Sequence, residues 1–121
     1  MANLPHDHGP HSRHALENIP NNEEFLAISD LFKQLSDPTR IRIFWLLCHC
    51  EECVMNLSAL MDMSSPAVSH HLKQLRSAGL IVSRREGKEV YYRAANTQQT
   101  RLLHDAIKQF VHLTCPDHCN P

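Results

Sequence analysis

A mainly α-helical fold of five helices with one β-hairpin is what this sequence predicts, on three observations. Apolar residues recur at helical spacing over most of 22–114. Proline and glycine punctuate the joints between those runs. One stretch, "LIVSRREGKEVYYRA", alternates apolar and polar residues around Glu86-Gly87-Lys88, as the two strands of a hairpin do.

The elements follow in order. Residues 1–21 are rich in His, Pro and Asn and lack periodicity, so they read as a flexible His-rich arm. A first helix is expected over about Asn22–Leu35, with Phe25, Ile28, Phe32 and Leu35 on one face. In "SDPTR", Asp37 suits a cap and Pro38 the first helical position, opening a second helix over Pro38–Cys48 that turns Ile41, Phe44, Trp45 and Leu47 or Cys48 inward. A short cysteine-bearing connector leads to a third helix near Val54–Met61. "MDMSSP" is the turn; Ser65 is read as cap, Pro66 as the start of a fourth helix and Gly79 as its end. Val68, Leu72 and Leu75 fall at i, i+4 and i+7 and face the core. After the hairpin, a fifth helix over about Thr97–Thr114 carries Leu103, Ile107, Phe110 and Val111 on one stripe, and Pro116 stops it. The residues at 115–121 form a Cys/His tail, and 22–114 forms the folded domain.

Composition narrows the function. The chain has 121 residues, 42% hydrophobic and 21% charged, as in an ordinary soluble domain with a modest core. No apolar run approaches the ~20 residues that cross a bilayer, and "MANLPHDHGPHSRH" has no signal-like apolar core. The expected compartment is the cytoplasm, with no membrane partner, where thiols stay reduced and five cysteines read as metal ligands or redox sensors. With glycine only at positions 9, 79 and 87, there is no phosphate-cradling loop. Cys50-Glu-Glu-Cys53 has a CxxC spacing but no βαβ pattern around it, so an enzyme is not expected.

Charge is uneven. From Ser65 to Arg93 six Lys/Arg stand against two acids, a net +4, whereas Met1–Ser64 has four bases against nine acids, a net −5. Two short helices, a tight turn, a capped second helix and a basic hairpin together make a winged helix-turn-helix. Its second helix buries one face for rigidity and presents short polar residues to base edges in a major groove. Ser64, Ser65, Ser69 and His70 are of that kind, Lys73 and Arg76 suit phosphates, and Arg84, Arg85 and Lys88 at the hairpin suit neighbouring backbone or minor groove. The competing reading is a basic but merely solvated face.

"LSDPTRIRIFWLL", "CVMNLSALMDMSSPAVSHHLKQLRSAGLI" and "REGKEVYY" closely resemble the ArsR/SmtB metalloregulatory repressors, in one register from about Phe25 to Thr114. The resemblance implies a homodimer whose first and last helices form the interface, binding double-stranded operator DNA. It implies repression of an efflux or detoxification gene until an inducer binds. Two-fold symmetry would set the two recognition helices about 34 Å apart, one DNA turn.

Cys48, Cys50 and Cys53 crowd the connector. Thiolates favour soft or borderline ions: zinc, cadmium, lead, copper(I) or trivalent arsenic. The resemblance implies that Cys53, directly before Val54, is a ligand. Thiolate-rich relatives carry a second Cys where this chain has Met55. In such relatives the N-terminal arm completes the site. Here the arm offers His6, Asp7, His8, His11 and His14, so a mixed sulfur–nitrogen site for a divalent ion of the Zn, Cd or Pb class is the expected inducer site. A second family site on the last helix corresponds to Asn96, Gln98, Gln109 and His112, where only His112 can still ligate. Cys115, His118 and Cys119 in "CPDHCNP" are a third set of candidate donors. The alternative signal is oxidation or persulfidation of the clustered thiols in a repressor of the same fold.

Overall fold

The computed structural model describes residues 4–114. It divides into two units, one ending at Asp30 and the other beginning at Leu31.

The first unit holds α1 (Pro10–Glu17) and the opening turns of α2 (Asn22–Gln34). Six helices therefore replace the five expected, because α1 lies in the stretch read as an arm. It is a local helix: Pro10 presets the first turn, and the Asn18 side-chain amide donates to the His14 carbonyl at 2.7 Å. None of its residues is buried, so the apolar periodicity that marks packed helices is missing. α2 starts on Asn21, whose side chain accepts from the Glu24 N–H at 2.8 Å, with Glu23 and Glu24 against the positive end of the helix.

The second unit contains α3 (Pro38–Leu47), β1 (Glu52–Cys53), α4 (Val54–Met61), α5 (Ser65–Ser77), β2 (Ile81–Glu86), β3 (Glu89–Ala94) and α6 (Gln98–Thr114). α3 is capped by Asp37, whose carboxylate accepts from the Arg40 N–H at 2.9 Å. That bond, more than any other influence, holds the Asp37 carboxyl below its ordinary range. α4 ends on Asp62 in the left-handed region (φ 52°), a conformation that Asp tolerates better than most residues. The cap of α5 is Ser64, one residue earlier than expected; its hydroxyl accepts from the Ala67 N–H at 3.3 Å. Gly79 (φ 75°) turns the chain out of α5 into β2.

The core is one cluster: Ile43, Phe44 and Leu47 from α3, Leu57 from α4, Val68, Leu72 and Leu75 from α5, then Leu80 and Ile81. The inward stripe of α3 is thus centred on Ile43, Phe44 and Leu47, while Ile41, Trp45 and Cys48 are only half-buried. β2 and β3 form the expected hairpin, pairing Ile81 with Ala94 and Glu86 with Glu89. The sheet has a third strand, in the order β1-β3-β2, all antiparallel. Among the described residues no helix is long and apolar enough to cross a membrane.

Candidate functional site

The outward face of α5 carries the residues that the pattern placed there. Ser64, Ser65, Ser69, His70, Lys73 and Arg76 are all exposed, while Val68, His71, Leu72 and Leu75 turn inward. His71 does more than pack. Its Nδ1 accepts from the Arg40 Nε–H at 3.2 Å, and Arg40 also donates to the Gln34 side chain at 3.0 Å. Burial pushes the His71 imidazole below its ordinary pKa, so it stays neutral and keeps the lone pair that Arg40 needs. The start of α3 is thereby locked to the middle of α5. That lock fixes the angle at which the exposed face is presented.

The hairpin basics are in two states. Arg85 and Lys88 are exposed and, among the described residues, make no ion pair. Arg84 is engaged: its Nη2 donates to Glu51 Oε1 at 2.6 Å, its Nη1 to Glu86 Oε2 at 2.7 Å, and its guanidinium lies 4.8 Å from the Tyr91 ring centroid. These two carboxylates hold the Arg84 guanidinium charged more firmly than usual. The Arg84 hydrogen bonds hold the Glu51 carboxyl below its ordinary range. Arg93 adds a longer contact to Glu51 at 3.9 Å. Glu51 was not among the residues the sequence singled out, since a glutamate inside "CEEC" reads as solvated.

Glu51 sits in the cysteine connector, and the connector is part of the wing. In β1, Cys53 pairs with Tyr91, which pairs in turn with Arg84. Directly opposed residues share a face of a sheet, so Cys53, Tyr91 and Arg84 form one row across all three strands. The ladder hydrogen bonds and the Glu51–Arg84 pair thus connect Cys53 to the basic hairpin. A two-residue strand leaves no alternation for a sequence pattern to reveal.

The thiols are partly covered. Cys50 is exposed and its Sγ–H donates to the Leu46 carbonyl at 3.3 Å, while Cys48 and Cys53 are half-buried. Burial pushes the Cys48 thiol up to about 11, and burial followed by the nearby Glu52 carboxylate raises Cys50. Among the described residues no three His, Cys, Asp or Glu side chains gather closely enough to hold an ion, so Cys48, Cys50 and Cys53 are near in sequence without forming a finished trigonal site. His6, His8 and His11 belong to the first unit and are exposed; the His6 and His8 rings stack with centroids 5.8 Å apart. Cys115, His118 and Cys119 lie outside the described residues.

A capped, core-anchored second helix with a polar outer face, beside a basic three-stranded wing, defines a winged helix-turn-helix DNA-binding protein. Residues 37–83 match the family described as bacterial regulatory protein, arsR family. Over 105 residues the chain is 32% identical to a transcriptional repressor SmtB homolog of Synechocystis, covering 87% of this chain and 80% of that one. It is 41% identical over 80 residues to the arsenic resistance transcriptional regulator ArsR2 of Pseudomonas putida, covering 65% and 69% respectively. Among solved structures, the homodimeric winged helix-turn-helix DNA-binding domain Mb0332 of Mycobacterium bovis superposes with a TM-score of 0.66 at 27% identity, over 79% of this chain and 92% of that one. The chain belongs to the ArsR/SmtB family of transcriptional regulators, which makes it a DNA-binding regulator and not an enzyme.

Proposed function

We propose that this protein is a homodimeric repressor that releases operator DNA when a thiophilic ion of the Zn, Cd or Pb class binds the cysteine connector, and that it controls a metal efflux or detoxification gene. One observation carries the reading: the cysteines that attract such an ion are built into the edge strand of the DNA-binding wing, in the Cys53–Tyr91–Arg84 row. Metal drawn by Cys53, Cys50 and Cys48 would reshape that edge, displace Glu51 from Arg84 and move the wing relative to α5. The coupling is reciprocal: metal weakens DNA binding by the factor by which DNA weakens metal binding, typically ~1–3 kcal/mol.

Two further observations support parts of this. α6 exposes Leu102, Phe110, Val111 and Leu113, and a groove of ≈ 890 Å³ between α3 and α6, lined by Ile41, Trp45, Ile107 and Val111 among others, adds apolar surface that a second copy would cover. The Mycobacterium bovis domain that superposes on this chain is itself homodimeric. A metal displaces the thiol protons, so its affinity should climb with pH.

The test is fluorescence anisotropy of the full chain on its own promoter DNA, reduced and anaerobic, with cadmium titrated in. The expected result is release near stoichiometric metal, abolished by Cys53→Ser. Release that occurs only on adding oxidant or persulfide would replace the metal reading with the thiol-switch reading.

A further inference from the structure

Where α3 ends and α6 passes, two imidazoles meet at the surface. His49 Nε2 and His104 Nε2 are 3.0 Å apart, their ring centroids 4.9 Å apart and their planes 61° from parallel. The His104 ring stacks on Trp45 (centroids 4.5 Å, 18° between planes), and Trp45 also touches His49 at 4.9 Å between centroids. The backbone N–H of His49 donates to the Leu46 carbonyl at 3.0 Å, which holds the main chain there. On the far side of His104, the Asp105 carboxylate stands 3.7 Å from Nδ1. His49 is exposed and His104 half-buried, so the two converging nitrogens can be reached from solvent.

We propose that His49 and His104 form a two-nitrogen site for a borderline divalent transition-metal ion, one that uses none of the connector thiols although His49 lies between Cys48 and Cys50. Two imidazole nitrogens at ~2.0–2.1 Å from one ion stand about 2.9 Å apart at a right angle and about 3.3 Å apart at the tetrahedral angle. The observed 3.0 Å lies between these, so an ion enters with ring movements of a few tenths of an ångström. Imidazole pairs suit zinc, nickel, copper and cobalt and do not suit magnesium or calcium. In the metal-free pair one Nε2 carries the proton that bonds the other. On metal binding both rings take the Nδ1–H tautomer, which leaves both Nε2 lone pairs for the ion and turns the His104 Nδ1–H toward Asp105. A carboxylate behind a ligating histidine is the usual device for holding that tautomer. With no third protein donor gathered among the described residues, water fills the remaining positions. An ion there would tie α6 to the end of α3, beside Cys48 and Cys50.

Trp45, the single tryptophan of the chain, reports on this site because it stacks on one ligand and touches the other. The experiment is a titration of Ni(II) into the reduced full chain, read as quenching of Trp45 emission, with loss of the His49 and His104 imidazole proton resonances as the second readout. Four proteins are compared: wild type, Cys48→Ser/Cys50→Ser/Cys53→Ser, His49→Gln and His104→Gln, each with its fold checked by circular dichroism. Saturable quenching is expected in the wild type and the triple serine variant. Its midpoint should rise roughly tenfold or more when either histidine is replaced, since a chelate is then reduced to a single ligand. Unchanged quenching in His49→Gln and His104→Gln would overturn the site. So would quenching that vanishes in the triple serine variant, which would assign the signal to the thiols. Cadmium-driven DNA release is read separately, so either proposal can fail while the other stands.

Discussion

α5 and α6 are both amphipathic, yet the chain completes only one of them. Val68, Leu72 and Leu75 on α5 are at most 1% exposed, whereas Leu102, Phe110, Val111 and Leu113 on α6 remain between 43% and 72% exposed. The helix proposed to present residues to DNA is held by a core that one chain supplies. The last helix packs Leu103 and Ile107 on the core but leaves Leu102, Phe110, Val111 and Leu113 outward, the surface that the proposed dimer would cover. Rigidity of the polar face of α5 and assembly of the proposed dimer should therefore be separable properties. The largest effect expected follows from the first: Leu72→Ala should cost about 2–5 kcal/mol in a urea melt, because the deleted methyl groups leave a cavity among Phe44, Leu57 and Leu75. A loss below 1 kcal/mol would mean that α5 is not anchored as described.

The second property is tested on the other helix. Phe110→Glu places a charge on a side chain that is 64% exposed in the single chain. The subunit's helical content should be unchanged, while light scattering should show monomer at concentrations where the wild type is dimeric. Operator affinity should fall by about ten- to a hundredfold, since one half-site is then engaged at a time. A variant that remains dimeric would place the interface elsewhere and remove the contrast between α5 and α6.

The legible part of this molecule is the part whose physics is local or periodic. Asp37 and Pro38 announced α3, and Val68, Leu72 and Leu75 announced the buried side of α5. The Glu86-Gly87-Lys88 turn gave the hairpin, with Gly87 at φ 61°. Less legible were features made by long-range pairing. β1 is two residues long and exists only because β3 is beside it. Glu51 meets Arg84 across 33 positions, and His49 meets His104 across 55. The apolar stripe of α6 was visible, but the same stripe describes a helix buried in its own chain and one exposed for a partner. Only the burial of its residues separates the two: Leu103 and Ile107 pack on the core, while Phe110 and Val111 do not.

The smallest expected effect lies at the joint between the connector and the wing, and it distinguishes a coupling residue from a stabilising one. Glu51 is a partly exposed carboxylate whose partner Arg84 is exposed and keeps a second acid, Glu86, so Glu51→Gln should leave the melting curve nearly unchanged. Its influence on stability has a definite sign with pH. The Arg84 hydrogen bonds depress the Glu51 carboxyl in the folded protein, so its stabilisation is present above the ordinary value of 4.5 and is lost as pH falls through the lower folded value. Any difference between wild type and Glu51→Gln should therefore shrink in acid. DNA binding should respond more than stability. With Glu51 neutral, the net charge around the wing rises by one while Arg84 keeps Glu86, and the plot of log affinity against log salt should steepen by at most about one unit. Cadmium should still bind the Glu51→Gln protein, but the release it triggers should weaken, because the link from Cys53 to Arg84 then runs through the β ladder alone. An unchanged salt slope together with full cadmium response would confine the signal to the backbone of the β1–β3 pair.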